Sequence, residues 1–425
     1  MAKKSVTTIR AVVDAPMPAC YNPFAFRGTK MSERRRSIYL DHAATTPVDP
    51  RVIEAMQPYW AGAFGNTASI HGVGRAALKG LEQARQTVAD VLGGHPMEIV
   101  FTGGGTESDN LALRGVAWAA RRSGRGNHIV TTPIEHHAVG VTAEQLRDLH
   151  EFDVTFVDVD EHGRVEPDAV GRAIRRDTCL ISVMYANNEV GTIQPLRDIG
   201  ALARSKGITF HTDAVQAGGA LDLNVDRLQV DLLALSAHKF YGPKGIGVLY
   251  VRRGTELEPA LTGGGHERGR RPGTVNVAGA VGLATALKLA QDNRESENAR
   301  VAALRDRLAA GVLEHVPGAQ LTGHPAERLP NSASFALRGV EGESILLALD
   351  LEGVCVSTGS ACTTGEAEPS FVLTAMGFPH EWAVGSLRMT LGHLTQPEDV
   401  DTVLDVLPGV VERLREHTPV KELFE

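Results

Sequence analysis

Leu180–Gln216 reads LISVMYANNEVGTIQPLRDIGALARSKGITFHTDAVQ, and three of its parts decide the fold. Leu180–Tyr185 is a short, almost wholly apolar run, the pattern of a strand covered on both faces. Leu196–Lys206 carries its apolar residues at helical spacing, and Ile208–His211 is a second short run. Strand, helix, strand is the unit from which parallel sheets are built. Outward from it, Ile99–Phe101, His128–Thr132, Val154–Val157 and Leu232–Leu235 read as further strands. Val73–Leu92, Glu107–Arg122 and Asp168–Arg175 have helical spacing. The alternation predicts an α/β fold with a mostly parallel seven-stranded sheet flanked by helices. The seventh strand lies in GIGVLYVRR (Gly245–Arg253) and is expected to run antiparallel at one end of the sheet.

After the loop Thr262–Thr274 the character changes. Val275–His315 reads as largely helical, and a domain break is expected near Asn293. A smaller α+β unit follows, with strands around Ser332–Leu337 and Val354–Ser357 and helices at Glu343–Glu352 and Pro397–Glu416.

The composition narrows the function. Of 425 residues, 43% are hydrophobic and 22% charged, an ordinary globular balance. With 43 Lys and Arg against 51 Asp and Glu, the net charge of −8 argues against direct nucleic-acid binding. No apolar run reaches the roughly 18 residues of a membrane-spanning helix. Cys20, Cys179, Cys355 and Cys362 form no C-x-x-C pair, which fits a reducing, cytoplasmic setting. Residues 1–36 are basic without a secretory core, so a disordered extension or a start at Met31 is expected ahead of a targeting segment.

In open parallel sheets, ligands bind beyond the carboxyl ends of the strands. Just past successive strands stand TGGGTESDN (102–110), Glu135-His136-His137, Asn187-Asn188-Glu189, Asp213 with Gln216, and Ser236 with His238 and Lys239. Gly103-Gly104-Gly105-Thr106 opens a helix, and glycines let backbone amides approach a phosphate. Neither nucleotide-binding glycine motif is present there, so a single phosphate is expected. Lys239 precedes the stiff YGPKG; desolvated in a pocket, it becomes a nucleophile for carbonyls. Asp213 suits a cationic ring nitrogen. Phosphate cradle, Schiff-base lysine and aspartate together are what pyridoxal phosphate asks of a protein.

At SAHKFYGPKGIGVLY (236–250) the chain resembles the fold-type I pyridoxal-phosphate enzymes, specifically the NifS/IscS class of cysteine desulfurases. The likeness runs from YLDHAATTPVDPRV (39–52) almost to the C terminus. It includes GNTASIHGVGR, FTGGGTESDN, IEHHAV, YANNEVGTIQP, HTDAVQ, GGGHERGRRPGTVN, STGSACTTGEAEPS and GSLRMTLG. The resemblance implies Lys239 as the Schiff-base lysine, Asp213 on the ring nitrogen, and His136 stacked on the ring to assist proton transfer. It implies Asn188 and Gln216 on the ring and its phenolic oxygen, and Gly105, Thr106, Ser236 and His238 on the phosphate. Thr274 is implied as a phosphate contact from a second subunit, hence a homodimer, and Arg388 with Asn188 as the clamp on the carboxylate of L-cysteine. Cys362, in a small and polar run with no regular period, is implied as the thiol that takes the sulfur in a long, group I loop. The persulfide acceptor is expected to be an iron–sulfur scaffold or a tRNA-thiolation carrier. The domains expected are 50–293, binding the cofactor, and 37–49 with 294–425, carrying the cysteine loop; 1–36 lies outside the match.

Three other readings stay in view. A selenocysteine lyase on the same scaffold differs only in the chalcogen. An aminotransferase gives no reason for Cys362. A non-catalytic metal or cluster scaffold lacks any ligand spacing of a metal site.

Overall fold

The computed structural model describes residues 37–359 and 368–417. Cys20, Cys362 and the N-terminal extension lie outside the described residues.

Strand β1 (Ile38–Tyr39) belongs to the second core described below. The central sheet holds β2 (Ile99–Thr102), β3 (His128–Thr131), β4 (Asp153–Phe156), β5 (Thr178–Ser182), β6 (Thr209–Asp213), β7 (Leu232–Ser236) and β8 (Gly247–Val251). Their order is β2-β8-β7-β6-β5-β3-β4. The ladders from β7 through β4 are parallel, whereas β8 is antiparallel to both β7 and β2. Two antiparallel steps restore the direction of β2, so the glycine turn after it opens on the same edge as the ends of β5, β6 and β7.

The expected position of the antiparallel strand is corrected here: β8 is antiparallel but one place in from the edge, with β2 outside it. Every residue of β8 is buried, including Tyr250. At an edge, its second row of backbone groups would lack partners, and β2 supplies them.

Helices cover both faces. On one side, Gly72–Leu92 and Val277–Asp292 pack over Phe101, Val130, Ile181, Phe210 and Leu233. On the other, Gly105–Arg122 and His137–His150 pack over Val100, Ile129, Leu180 and Leu232. Successive strand residues point to opposite faces, so Leu232 and Leu233 serve different cores. Each such leucine contributes about 1.5–3 kcal/mol by leaving water. The long helical stretch divides at Asn293, between Val277–Asp292 and Arg294–His315.

A second core joins β1, the helices Arg294–His315, Gly342–Leu351 and Pro397–His417, and a three-stranded antiparallel sheet. That sheet is β9 (Ala319–Leu321), β10 (Ser332–Leu337) and β12 (Ser386–Thr390), while β11 (Val354–Cys355) pairs with β1. β12 brings Arg388 to the cavity at the edge of the central sheet.

Candidate active site

Every described site residue predicted from the sequence, except Thr274, lines one cavity of about 330 Å3 at the carboxyl edge of the sheet. Thr274 is exposed and does not line it. Among the described residues, no group of three or more His, Cys, Asp or Glu is arranged to hold a metal ion.

The floor is built by strand ends. β6 finishes on Asp213, 5% exposed, whose Oδ1 accepts from the Val215 amide at 2.8 Å. Burial pushes this carboxyl up, while His136, the Val215 hydrogen bond and Lys239 pull it back. A cationic ring nitrogen beside it would pull in the same direction. Beneath it lie two further carboxyls, Asp109 and Glu135. Burial drives Asp109 well above the usual range, with Asp213 and Glu135 adding to the effect, and Glu135 is pushed up to about 8. Three acids share one buried region and burial raises all three; of them, Asp213 is the one that His136 and Lys239 pull back. His211, 3.5 Å from Asp109 and 2.9 Å from Ser182 Oγ, is lowered by burial to about 3 and stays uncharged.

Lys239 closes a one-turn helix after β7. Its Nζ donates to the carbonyls of Ala43 and, at 3.0 Å, Ala44. Gln216 Nε2 donates to the same Ala43 oxygen at 3.1 Å. Burial lowers the Lys239 ammonium to about 8, helped by Arg388 and opposed by Asp213 and Asp41. The amine is thereby available near neutral pH, as a carbonyl nucleophile requires.

The glycine turn forms the rim. Gly104 has φ +154°, a conformation other residues rarely adopt, and the helix Gly105–Arg122 starts at the next residue. The Gly103 amide donates to Glu107 Oε2 at 2.7 Å, while Gly104 and Gly105 line the rim with Ser236 and His238 at a helix N terminus that favours an anion. His238, lowered to about 4 by burial, Lys239 and Lys244, lies 3.1 Å from Thr45 Oγ1.

His136 caps the helix His137–His150, its Nδ1 accepting from the Ala138 amide at 3.1 Å. Its ring is exposed at the mouth of the cavity yet crowded by protein behind. Burial lowers its pKa, Lys239 and His137 assist, and Asp213 opposes. His137 turns away and stacks on Phe371, with ring centroids 5.0 Å apart.

Arg388 is 8% exposed. Its Nη1 donates to the Asn188 carbonyl and its Nη2 to Asp41 Oδ1, both at 3.0 Å, while its Nε has no partner. A planar guanidinium fixed in this way presents a fork suited to a carboxylate.

The residues that sequence reasoning missed are mainly backbone and support. Ala43, Ala44 and Asp41 lie in the DHAATTP stretch, whose motif was visible but whose role was not. The Ala43 and Ala44 carbonyls act through the main chain, which no residue type announces. Asp109 stands in the sequence only as part of TGGGTESDN (102–110).

The sequence matches the Aminotransferase class-V family over residues 38–403. Cysteine desulfurase IscS of Methanosarcina thermophila is 49% identical over 393 residues, 92% of this chain and 96% of that one. Cysteine desulfurase IscS of Dictyoglomus turgidum is 48% identical over 388 residues, 91% of this chain and 98% of its own. Among solved structures, a NifS-like protein superposes with a TM-score of 0.83 at 38% identity, covering 89% of this chain and 100% of its own. The structure of SspA in complex with cysteine does so with a TM-score of 0.74 at 37% identity, over 84% and 99% of the two chains. With its sheet, its cavity and this extent of match all in agreement, the chain belongs to the class-V aminotransferase family.

Proposed function

We propose that this chain is a pyridoxal-phosphate-dependent cysteine desulfurase that moves the sulfur of L-cysteine onto Cys362, releases L-alanine and passes the sulfur to an acceptor protein. The observation that carries this reading is the convergence of Lys239, Asp213 and Arg388 on one cavity. An amine for an aldehyde, a buried carboxyl for a ring nitrogen and a fork for an amino acid's carboxylate meet there.

The residues fit the cofactor. Asn188 Oδ1 is buried at the wall without a hydrogen-bond partner, and Gly105 at the helix N terminus lies beside Ser236. Lys239 would bind the aldehyde, Asp213 the ring nitrogen, and His136 would stack on the ring. Asn188 and Gln216 would contact the ring and its phenolic oxygen. Gly105, Thr106, Ser236 and His238 would hold the phosphate, joined by Thr274 of the partner subunit in a homodimer. When bound, pyridoxal phosphate supplies an electron sink for the bonds at the substrate's Cα.

The chain's own groups do the rest. Arg388 and Asn188 hold the carboxylate of cysteine, which keeps the substrate in the cavity that Lys239 lines. Lys239, as a free amine, takes the Cα proton. His136 at the mouth accepts or returns a proton of the thiol. Cys362, as thiolate, attacks the substrate sulfur: a sulfur–sulfur bond forms and the carbon–sulfur bond breaks. Its electron pair goes to Cβ, which takes up a proton, and Lys239 returns the proton to Cα, giving alanine.

We assign the acceptor to the class of iron–sulfur scaffolds or tRNA-thiolation carriers, and the setting to the cytoplasm. No helix among the described residues is long and apolar enough to cross a membrane. Residues 50–293 form the cofactor-binding domain in this reading, and 37–49 with 294–425 form the domain of the cysteine loop. Cys362→Ser tests it: the variant should keep the visible absorption of bound cofactor yet release no sulfide from cysteine under reductant. Sulfide release at the wild-type rate would assign the nucleophile elsewhere.

A further inference from the structure

Glu189 follows Asn188 in the turn after β5 and is 6% exposed. Its backbone is fixed, because its own amide and that of Val190 both donate to Asn187 Oδ1 at 2.9 Å. Asn187 Nδ2 is anchored in turn on the Ile134 carbonyl at 3.0 Å. The carboxyl therefore stands on a rigid base, outside the set of groups that line the cavity.

Ser370 Oγ donates to Glu189 Oε2 at 2.6 Å and accepts from the Leu373 amide at 3.1 Å. One hydroxyl thus caps the helix Phe371–Ala375 and ties it to Glu189. From the other side comes Gly359. A Cβ there would collide with the same Oε2 and lie 3.0 Å from Glu189 Cδ and 3.2 Å from Ser370 Cβ. Only glycine lets the chain pass so close. The Gly359 amide donates to Ser386 Oγ at 3.1 Å, and Ser357 exchanges both backbone hydrogen bonds with Arg388, at 2.7 and 3.1 Å. Carboxyl, both chain ends and the arginine form one block.

We propose that Glu189 is a positioning residue: its carboxyl binds Ser370 and packs against Gly359, the described residues that flank Cys362 in sequence, and so sets where both stand beside the arginine that holds the substrate. The proposal rests on the reading of Cys362 as the sulfur-accepting thiol. Cys362 is three residues past Gly359, so covalent geometry limits its Cα to about 10 Å from that residue. Where Gly359 stands decides which points the thiol reaches. A tether whose ends are held in place delivers a reacting group at a higher effective concentration than one whose ends move. Misplacing a reacting group by about 1 Å can cost on the order of a hundredfold. Burial pushes the Glu189 acid up to about 7 against the pull of Ser370 and Arg388, a cost that packing alone would not require.

Ser370→Ala cuts one tie, Gly359→Ala wedges the other, and Glu189→Gln keeps an oxygen for Ser370. In cofactor-loaded enzyme, stopped-flow absorbance after mixing with cysteine reports substrate binding at Lys239 and Arg388. Alkylation and mass spectrometry in a single turnover report persulfide on Cys362. Expected for Ser370→Ala and Gly359→Ala is binding within about twofold of wild type and persulfide formation at least tenfold slower, with Glu189→Gln within about threefold on both. Persulfide formation at the wild-type rate in both alanine variants would overturn the proposal. So would parallel loss of both signals in variants whose thermal melting is unchanged, since that marks general support of the site. If Ser370→Ala melts early, Gly359→Ala decides alone. Persulfide or sulfide formed at full rate by Cys362→Ser would instead remove the reading on which the proposal stands.

Discussion

Arg388 Nη2 donates to Asp41 Oδ1 at 3.0 Å, joining a strand near the C-terminal end of the chain to the first segment after β1. The same short segment supplies the Ala43 and Ala44 carbonyls that hold Lys239 Nζ. One short segment, Asp41 through its carboxylate and Ala43 and Ala44 through their carbonyls, therefore sets both the arginine that would clamp the substrate and the amine that would hold the cofactor.

Replacing Arg388 by Lys keeps the charge and removes the fork. Hydrogen bonds to charged groups contribute about 1.5–3 kcal/mol, so KM for cysteine should rise roughly 10- to 100-fold with a smaller change in kcat. Asp41→Ala, which frees the guanidinium to turn, should raise KM severalfold. Initial-rate measurements check both, and an unchanged KM in Arg388→Lys would remove the clamp.

Lys239 titrates at about 8 rather than in the usual lysine range, because burial and Arg388 disfavour its charged form. A lowered lysine pKa means the neutral amine appears at lower pH. Capture of pyridoxal phosphate by the apoprotein, trapped with borohydride and quantified at Lys239, should rise with pH and level off with a midpoint near 8. A rate still climbing steeply above about pH 9.5 would show an ordinary lysine.

Away from the chemistry, Arg85 and Glu267 form a buried ion pair, 2.7 Å from Nη2 to Oε1, with side chains 3% and 2% exposed. Glu267 also accepts from the Phe101 amide of β2 at 3.0 Å, and it sits at φ +46° in the loop that leads to Thr274. Removing one partner of such a pair costs about 3–5 kcal/mol, because the other stays buried and unpaired. Arg85→Met should lower the urea midpoint accordingly, and Arg85→Met with Glu267→Leu should recover much of the loss. Cofactor loading must match across variants, since a bound ligand shifts the midpoint. A single variant as stable as wild type would show the pair to be dispensable.

Much of this architecture was legible in the residues. Strands β5 and β7 are wholly buried, so their apolar runs stood out, and the helix Leu196–Lys206 has the bounds its spacing predicts. Of the residues past those strands, Asn188, Asp213, Gln216, Ser236, His238 and Lys239 line one cavity, whereas Asn187 and Glu189 do not. What stayed hidden has physical causes. β12 reads Ser, Leu, Arg, Met, Thr, an alternation that suits a strand but spans only five residues, and it stood in the sequence as part of the motif GSLRMTLG. β9 has three residues, too few to show any period. The helix His137–His150 went unread although Val139, Ala143 and Leu146 mark its buried face; the run of histidines before it drew the reading toward chemistry. The place of β8 inside the sheet depends on pairing partners far away in sequence, which alternation alone does not encode.

The central claim is that one lysine and one cysteine of this chain share the removal of sulfur from L-cysteine. Mix the cofactor-loaded protein with cysteine without reductant, and measure alanine together with the mass of the Cys362 peptide. Alanine and a one-sulfur gain on Cys362 are expected in equal amounts, both absent in Lys239→Ala. Alanine without added sulfur on Cys362, or no alanine at all, would contradict the claim.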